Sequence, residues 1–344
     1  MRELKTSELT LNTQNPEFIV VGDTHFSNRP PSCRIDDYSE TCLNKLSFIL
    51  DYCILNCVAV VIIEGDVFHK QQIPIQYLTN IISIINQKKK EYALKNNESL
   101  TIASIIGNHD LPFENFKFID RSPLYLLFET GCIDYFNHIN IKTSCEDIHI
   151  SGFDYSKEIK PSSYKNECCV AHCFFGFDFI NPNLDSNESL EDRITEDEAK
   201  ELGYSVYFLG HDHTFYGITK RQCYTVVRPG SLLRNSSHTQ QTNRIPCFYH
   251  VKKQNSLYEF KCVSVNIALE AKSIFTEESL IKTKKQELEE NIKTNISDII
   301  LSLSEDDSKE NSVINMLNEI TKTHNVSRNV YNLLTKYLSR ENVL

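Results

Sequence analysis

The chain has 344 residues, of which 40% are hydrophobic and 24% are charged, and its formal net charge is −10. This composition is typical of a globular protein with one large domain or two ordinary ones. No apolar run approaches the roughly 20 residues that cross a bilayer, and the polar N-terminus lacks the apolar core of a signal peptide. We therefore expect a cytoplasmic protein, in the host cytoplasm if a virus encodes it, with no membrane contact.

The first 110 residues alternate between apolar runs and amphipathic segments. The apolar runs predict buried strands over residues 18–21, 58–63 and 100–106, and the segments between them predict covering helices over residues 37–56 and 74–94. This alternation predicts right-handed crossovers and a parallel sheet. Open sheets of this kind hold their ligands at the C-terminal ends of the strands.

After Asp110 the pattern changes to a short helix over residues 122–130 and then to short strands with little helix between them. These strands lie around Ile139 and over residues 148–153, 167–172, 206–210, 215–227 and 247–265. We predict that they form a second, mainly antiparallel sheet packed on the first.

From Thr276 onward, helical spacing predicts a long helix to Leu303 and shorter helices over residues 313–320 and 330–338. We divide the chain into a catalytic domain of residues 1–267 and a helical tail of residues 268–344. The apolar stripes of the tail face either the body of the protein itself or a partner, and the sequence leaves both open.

Five apolar runs break into Asp, Asn or His. The side chains concerned are Asp23, His25, Asp66, Asn108, His172, His211 and His213. A nitrogen and oxygen set without thiolate suits Mn, Mg, Fe or Zn rather than a cysteine-based structural zinc site. Seven ligands are too many for one tetrahedral ion and fit two ions that share a carboxylate, a recurrent device for phosphoester hydrolysis. Each motif alone is unspecific, and the alternative is five unrelated loops.

Positive charge is concentrated over residues 217–254, which contain seven basic residues and no acidic one. Phosphate contacts need local rather than total positive charge. The candidate contacts to a phosphate backbone are Arg221, Arg228, Arg234 and Arg244. The alternative is that they are ordinary surface arginines without a substrate. The twelve cysteines include no C-x-x-C pair, which predicts free thiols in a reducing compartment.

Together, these motifs resemble the full motif set of the calcineurin-like metallophosphoesterases. The matching segments are Gly22–His25, Gly65–Asp66, Gly107–Asp110, His172 and Gly210–His213. The resemblance runs from Phe18 to Val265 and implies a four-layer α/β/β/α sandwich with a dimetal centre at the sheet edge.

The resemblance also implies a role for each site residue. Asp23, His25 and His213 would hold one metal, Asn108, His172 and His211 the other, and Asp66 would bridge them. His109 would protonate the leaving oxygen, and Asp110 is a candidate to orient it. For the metals we expect two divalent ions, manganese before magnesium, iron or zinc.

Within this superfamily, Gly65–His69 followed by Pro74, and Arg228–Arg234, are similar to SbcD-like nuclease subunits of double-strand-break repair complexes. This implies a two-metal DNA exonuclease or endonuclease in repair or recombination, with an SMC-like ATPase as partner. His69 would lie beside the metals and affect how duplex ends are processed. The alternative for His69 is a residue at a helix start that packs on Phe68.

The chain differs from larger relatives because only residues 266–344 follow the core, so the capping domain is absent or reduced. Whether it forms a homodimer stays open. A rival function is a small-molecule phosphodiesterase or phosphatase of the same superfamily, which would share every metal ligand. Another is a catalytically idle scaffold whose tail recruits a partner, although the intact His109 argues against it.

Overall fold

A computed structural model describes residues 7–176 and 192–288 of the chain. The chain divides into two compact units, Met1–Ser279 and Leu280–Leu344. The helices predicted over residues 313–320 and 330–338 lie outside the described residues, as does the predicted long helix beyond residue 288. The domain boundary after residue 267 and the role of the tail therefore stay predictions.

The strands and helices of the described residues follow in chain order. The strands are β1 (Glu8–Asn12), β2 (Glu17–Val21), β3 (Val60–Ile63), β4 (Thr101–Ser104), β5 (Asp134–Tyr135), β6 (His138–Lys142), β7 (Ile148–Phe153), β8 (Cys168–His172), β9 (Phe174–Phe175), β10 (Arg193–Ile194), β11 (Val206–Gly210), β12 (Gly217–Lys220), β13 (Thr225–Arg228), β14 (Cys247–Gln254) and β15 (Leu257–Ser264). The helices are α1 (Tyr38–Asn56), α2 (Ile75–Asn96), α3 (Pro123–Glu129), α4 (Glu196–Leu202), α5 (Thr239–Thr242) and α6 (Ala271–Ile274). Residues 277–288 are also helical.

The first sheet has the strand order β15-β14-β2-β3-β4-β5. Strands β2, β3 and β4 are parallel and joined by α1 and α2, as the sequence predicted. Asp37 begins α1 by accepting a hydrogen bond from the backbone N–H of Glu40, and left-handed Asn97 ends α2. The hairpin of β14 and β15 adds to the β2 edge in antiparallel fashion, although we predicted it in the second sheet.

The second sheet has the order β1-β6-β7-β8-β11-β13-β12, and the prediction that it is mainly antiparallel is wrong. Strands β7, β8, β11 and β13 run parallel to one another. Among the described strands of this sheet, the antiparallel pairs are β6–β7 and β12–β13. Parallel pairing needs a crossover connection, and residues 154–167 and 173–205 provide connections long enough for it. The polar N-terminal strand β1, which the sequence did not reveal, pairs in parallel with β6.

The two sheets pack face to face, with the rings of Phe18 and Phe208 in edge contact at 5.7 Å between centroids. Helices α1 and α2 bury their apolar stripes in the core shared by both sheets, and α4 packs on the outer face of the second sheet through Ala199. This confirms the predicted α/β/β/α class. No helix in the described part of the chain is both long and apolar enough to cross a bilayer. All twelve cysteines are free thiols.

Candidate metal centre

Five parallel strands end at one edge of the sandwich, and each end carries a predicted ligand. Strands β2, β3 and β4 belong to the first sheet, and β8 and β11 to the second. The side chains that follow or complete these strands are Asp23 and His25, Asp66, Asn108, His172, and His211 and His213. Because the C-terminal ends of parallel strands share an edge, residues up to 190 positions apart in sequence come together there.

The first group of candidate ligands consists of Asp23, His25, Asp66 and His213. Their ligand atoms lie within 4.8 Å of one another. The Nε2 atoms of His25 and His213 are 2.7 Å apart. The Oδ2 atom of Asp23 lies 3.4 Å from Nε2 of His213, and Oδ2 of Asp66 lies 3.5 Å from Nε2 of His25. This arrangement can hold one divalent ion.

The second group contains Asn108, His172 and His211. The Oδ1 atom of Asn108 lies 3.0 Å from Nε2 of His172 and 3.2 Å from Nδ1 of His211. The Oδ2 atom of Asp66 is also 3.4 Å from Nε2 of His172. The same carboxylate oxygen therefore faces both groups, which is the position that a bridging ligand requires.

Three of the seven candidate ligands have left-handed backbone conformations. The φ angles are 44° at His25, 47° at Asp66 and 85° at His211. Such angles cost of order 1 kcal/mol or more for a residue with a Cβ atom, and they cluster at functional sites. Gly107 permits a further close approach, because a Cβ atom there would overlap the carboxylate and backbone nitrogen of Asp66.

The charge and hydrogen bonding of the site fit divalent ions. Asp66 Oδ2 is buried without a hydrogen-bond partner among residues 7–176 and 192–288. Burial lowers the pKa of His172, but Asp66 and Asp23 outweigh it and raise that pKa to about 10. The carboxylates of Asp66 and Asp23 therefore favour positive charge beside His172. A bound cation can supply this charge in place of a proton. Burial and the neighbouring His172 lower the pKa of His211 to about 3, which keeps its imidazole in the neutral form that binds metals.

His109 and His69 lie together beside the first group. Their rings stack with centroids 5.2 Å apart and an interplanar angle of 21°, and the His109 ring lies 4.8 Å from that of His25. Nδ1 of His109 is 3.1 Å from the backbone oxygen of His69, to which it can donate. His69 therefore lies in the site, rather than only at a helix start against Phe68.

The structure does not place Asp110 against the His109 ring. Its carboxylate accepts hydrogen bonds from the backbone N–H groups of Val67 at 3.2 Å, Phe68 at 3.1 Å and Gly107 at 3.1 Å. Asp110 therefore ties the loop after β3 to the loop after β4, and the backbone of His69 orients His109. Since a sequence motif does not say where a carboxylate points, these backbone donors could not be foreseen.

Sequence reasoning missed three residues that support the ligands. The backbone oxygen of Glu64 is 2.8 Å from Nδ1 of His172, which directs Nε2 of that ring towards the site. The Gln71 side chain donates to the backbone oxygens of His109 and Leu111. Phe174 packs on the His211 ring with centroids 4.2 Å apart. Of these three residues, only Glu64 could have been noticed in the sequence, because it is an acidic residue at the end of an apolar run.

The four arginines predicted to contact phosphate have partners within the protein. Arg221 pairs with Glu196. Arg228 is 4% exposed, and its guanidinium carbon lies 3.8 Å from the Tyr216 ring centroid. Arg234 is 3% exposed and donates to the backbone oxygen of Leu269, and Arg244 donates to Ser231 and Gln241. Charge asymmetry in a sequence cannot tell whether a guanidinium faces water, a ring or a carbonyl oxygen, and the role of these arginines as phosphate contacts stays a prediction.

Residues 16–215 match the family model described as calcineurin-like phosphoesterase. The chain belongs to this family. Calcineurin-like phosphoesterases depend on divalent metals, and the His and Asp cluster at the strand ends can bind them. Family membership supports a metal-dependent phosphoester hydrolase.

Two solved structures are similar to this calcineurin-like phosphoesterase. One is a candidate 5'-nucleotidase from Staphylococcus aureus in complex with alpha-ketoglutarate, with 12% identity, a TM-score of 0.41, and coverage of 79% of this chain and 58% of that one. The other is the sulfate thiohydrolase SoxB of Thermus thermophilus in complex with glycerol, with 8% identity, a TM-score of 0.37, and coverage of 83% and 61%. The chain thus spans about three fifths of each. No curated protein matches it. At such TM-scores the likeness says nothing about its substrate.

Proposed function

We propose that this chain is a two-metal phosphodiesterase that cleaves DNA. The observation that carries the hydrolytic part is the position of Asp66, whose Oδ2 faces His25 at 3.5 Å and His172 at 3.4 Å and has no hydrogen-bond partner among the described residues. One carboxylate oxygen shared by two groups of ligands is the arrangement that a pair of ions needs.

The seven side chains divide between two ions, manganese by our expectation. Asp23, His25 and His213 would hold one, Asn108, His172 and His211 the other, and Asp66 both. When bound, such a pair of ions supplies Lewis-acid chemistry, which makes water a better nucleophile at neutral pH and offsets the charge that develops on a phosphate.

His109 would protonate the leaving 3'-oxygen. Its Nδ1 is directed at the backbone oxygen of His69, which leaves Nε2 as the atom that can give a proton to substrate. The His69 ring, stacked on His109, limits how that ring can turn, and we expect it to contact the strand end of a duplex.

Two features support DNA as the substrate class. The side chain of His213 is 37% exposed, and Asn108, His109 and His211 are half-buried, so a polymer can bring its backbone to the site from solvent. In addition, Gly65–His69 and Arg228–Arg234 resemble the corresponding segments of SbcD-like nucleases.

The second candidate is a small-molecule phosphoesterase. A cavity of about 710 Å³ has His172 in its wall, together with Phe153, Asp154 and Arg193, and borders the metal site through His172 without the other six candidate ligands. Small-molecule sites are typically concave and of this size, and the internal partners of the four arginines also favour a substrate that needs little positive surface.

One comparison separates the two candidates. The full chain with Mn²⁺ is given linear duplex DNA, single-stranded DNA, bis-p-nitrophenyl phosphate and a panel of nucleotides, and kcat/KM is measured for each. We expect DNA to be cleaved with the highest kcat/KM, and Asp66→Asn to abolish cleavage. Nucleotide hydrolysis that exceeds DNA cleavage would favour the second candidate, and turnover that survives Asp66→Asn or chelation would refute a two-metal site.

The cellular role is also a proposal. The resemblance to SbcD-like nucleases favours an SMC-like ATPase as partner, binding through residues 268–344, and a place in DNA repair or recombination in the cytoplasm. Co-purification of such an ATPase with the full chain, and ATP-dependent stimulation of the nuclease, would support this. An ATPase encoded with this chain that binds a form ending at residue 267 equally well would argue against the tail as the binding segment.

A further inference from the structure

We propose that Phe113 is a stacking platform for a base of the bound DNA near the cleaved phosphate. This inference rests on the proposed DNA phosphodiesterase and names a residue that would position its substrate. Phe113 lies in the short 3-10 turn Pro112–Glu114, which begins one residue after the segment Gly107–Asp110 that carries Asn108 and His109.

Phe113 is unusual in both its exposure and its backbone. Its side chain is 81% exposed. Its φ and ψ angles are 57° and 28°, and the φ of Glu114 is 51°. Two consecutive residues with Cβ atoms in the left-handed region cost roughly 1–2 kcal/mol each. The fold therefore keeps an unfavourable backbone conformation at this turn, and the Phe113 ring is exposed to solvent there.

The turn is held firmly to the catalytic segment. Leu111 is buried and donates its backbone N–H to the oxygen of Asn108 at 3.1 Å, and Glu114 donates to Leu111 at 3.1 Å. The side-chain amide of Gln71 contacts the backbone oxygens of both His109 and Leu111, at 3.1 and 3.3 Å. These contacts hold the backbone of Phe113 in place relative to that of His109.

The separation suits neighbouring nucleotides. Four residues span at most about 14 Å even when fully extended, so the Cα atoms of His109 and Phe113 cannot be farther apart. Since one strand of duplex DNA advances about 3.4 Å per nucleotide, the backbone positions of His109 and Phe113 are separated by no more than the length of about four nucleotides of one strand. A base displaced from the end of a duplex, or a base of a single strand, can reach the Phe113 ring.

The surroundings of Phe113 favour stacking over phosphate binding. Its ring contacts that of Phe118 edge-on at 5.7 Å, and the Arg121 guanidinium lies 4.9 Å from the Phe118 ring centroid. Glu114 and Asp120 in the same loop balance the charge of Lys117 and Arg121. A loop without net charge gives little attraction to a phosphate backbone, whereas an exposed aromatic face binds any base.

The test compares oligonucleotides that carry an abasic site at each successive position around the cleaved bond. For the full-length wild type with Mn²⁺, we expect an abasic site at one position to lower kcat/KM at least about fivefold, the lower limit expected for loss of one stacked base. Phe113→Ala should lower kcat/KM on the intact oligonucleotide to a similar level and remove the sensitivity to the abasic site. Phe113→Trp, which keeps an aromatic face, should restore both.

Leu94→Ala is the matched control, because Leu94 is 87% exposed and lies near the end of α2 that is remote from the strand ends carrying the site. It should leave the kinetics unchanged, and thermal unfolding should show that all variants are folded. A Phe113→Ala protein that cleaves with wild-type rate and wild-type sensitivity to abasic sites would overturn the inference while the proposed function stands. A wild type that cleaves no DNA would refute the proposed function, and with it this role for Phe113.

Discussion

At the scale of single residues, the site depends on which atom of each ring points inward. Two imidazoles have Nδ1 held by a backbone oxygen. Nδ1 of His172 lies 2.8 Å from the oxygen of Glu64, and Nδ1 of His109 lies 3.1 Å from the oxygen of His69. In His172 this directs Nε2 towards Asp66. In His109 it leaves Nε2 for the substrate. The same kind of contact therefore orients a candidate metal ligand in His172 and a candidate proton donor in His109.

The role of His109 as proton donor predicts a dependence on the leaving group. His109→Asn should lower kcat for DNA by roughly 10²–10⁴-fold, the usual contribution of general acid catalysis. The decrease should be much smaller for bis-p-nitrophenyl phosphate, because its leaving group needs no proton. Steady-state kinetics on both substrates measure the difference. An equal decrease on both would instead indicate damage to the metal site, and His149→Asn, a change in β7, is the matched control.

At the scale of elements, Asp110 joins the loop after β3 to the loop after β4 by accepting three backbone hydrogen bonds. Asp110→Ala would leave these buried N–H groups without an acceptor, which should lower the free energy of unfolding by at least about 2 kcal/mol. Denaturation by urea in the presence of EDTA measures this without a contribution from metal. Asp147→Ala, which removes an exposed carboxylate, should change little, and a stable Asp110→Ala protein would contradict the role.

A second contact between elements predicts a pH dependence of stability. Glu17 on β2 is buried and accepts from Nε2 of His250 at 3.0 Å and from Nζ of Lys252 at 2.8 Å, both on β14. Burial raises the pKa of Glu17, but these two partners outweigh it and hold the pKa below its ordinary value. A carboxyl whose pKa is lowered by folding stabilises the protein above its unfolded pKa, near 4.3, and loses this contribution as the pH falls through the folded pKa.

Glu17→Gln should therefore lower the free energy of unfolding by about 1–2 kcal/mol at neutral pH. The difference from wild type should shrink below about pH 4, where the wild-type carboxyl is protonated too. Chemical denaturation across this pH range tests the prediction. A difference that is constant with pH would mean that Glu17 acts through packing alone.

At the scale of the whole molecule, the ligands come from both sheets, so bound ions would hold the two halves of the sandwich together. Ions that bind only the folded state add about 2.7 kcal/mol to its stability at a concentration a hundred times their Kd. We expect the melting temperature to rise by several degrees with Mn²⁺ relative to EDTA. Calorimetry of Asp66→Asn is the control, since this variant should show a much smaller rise, and an unchanged wild-type melting temperature would argue against ions shared by the sheets.

The sequence by itself determined the parallel strands β2, β3 and β4, the two helices between them, and the side chains at the strand ends. These are local features, because an apolar run that ends in Asp, Asn or His can be recognised without knowing its neighbours. It also predicted that His69 and His109 neighbour the ligands, through a resemblance to known families.

Only the tertiary structure decided where groups point and what lies opposite them. It made the second sheet mostly parallel, moved β14 and β15 to the first sheet, turned Asp110 to backbone donors, and gave Arg228 and Arg234 partners inside the protein. It also left Phe113 in water. Strand partners and buried polar contacts involve residues far apart in the chain, and their free energy depends on distances that composition and spacing do not contain.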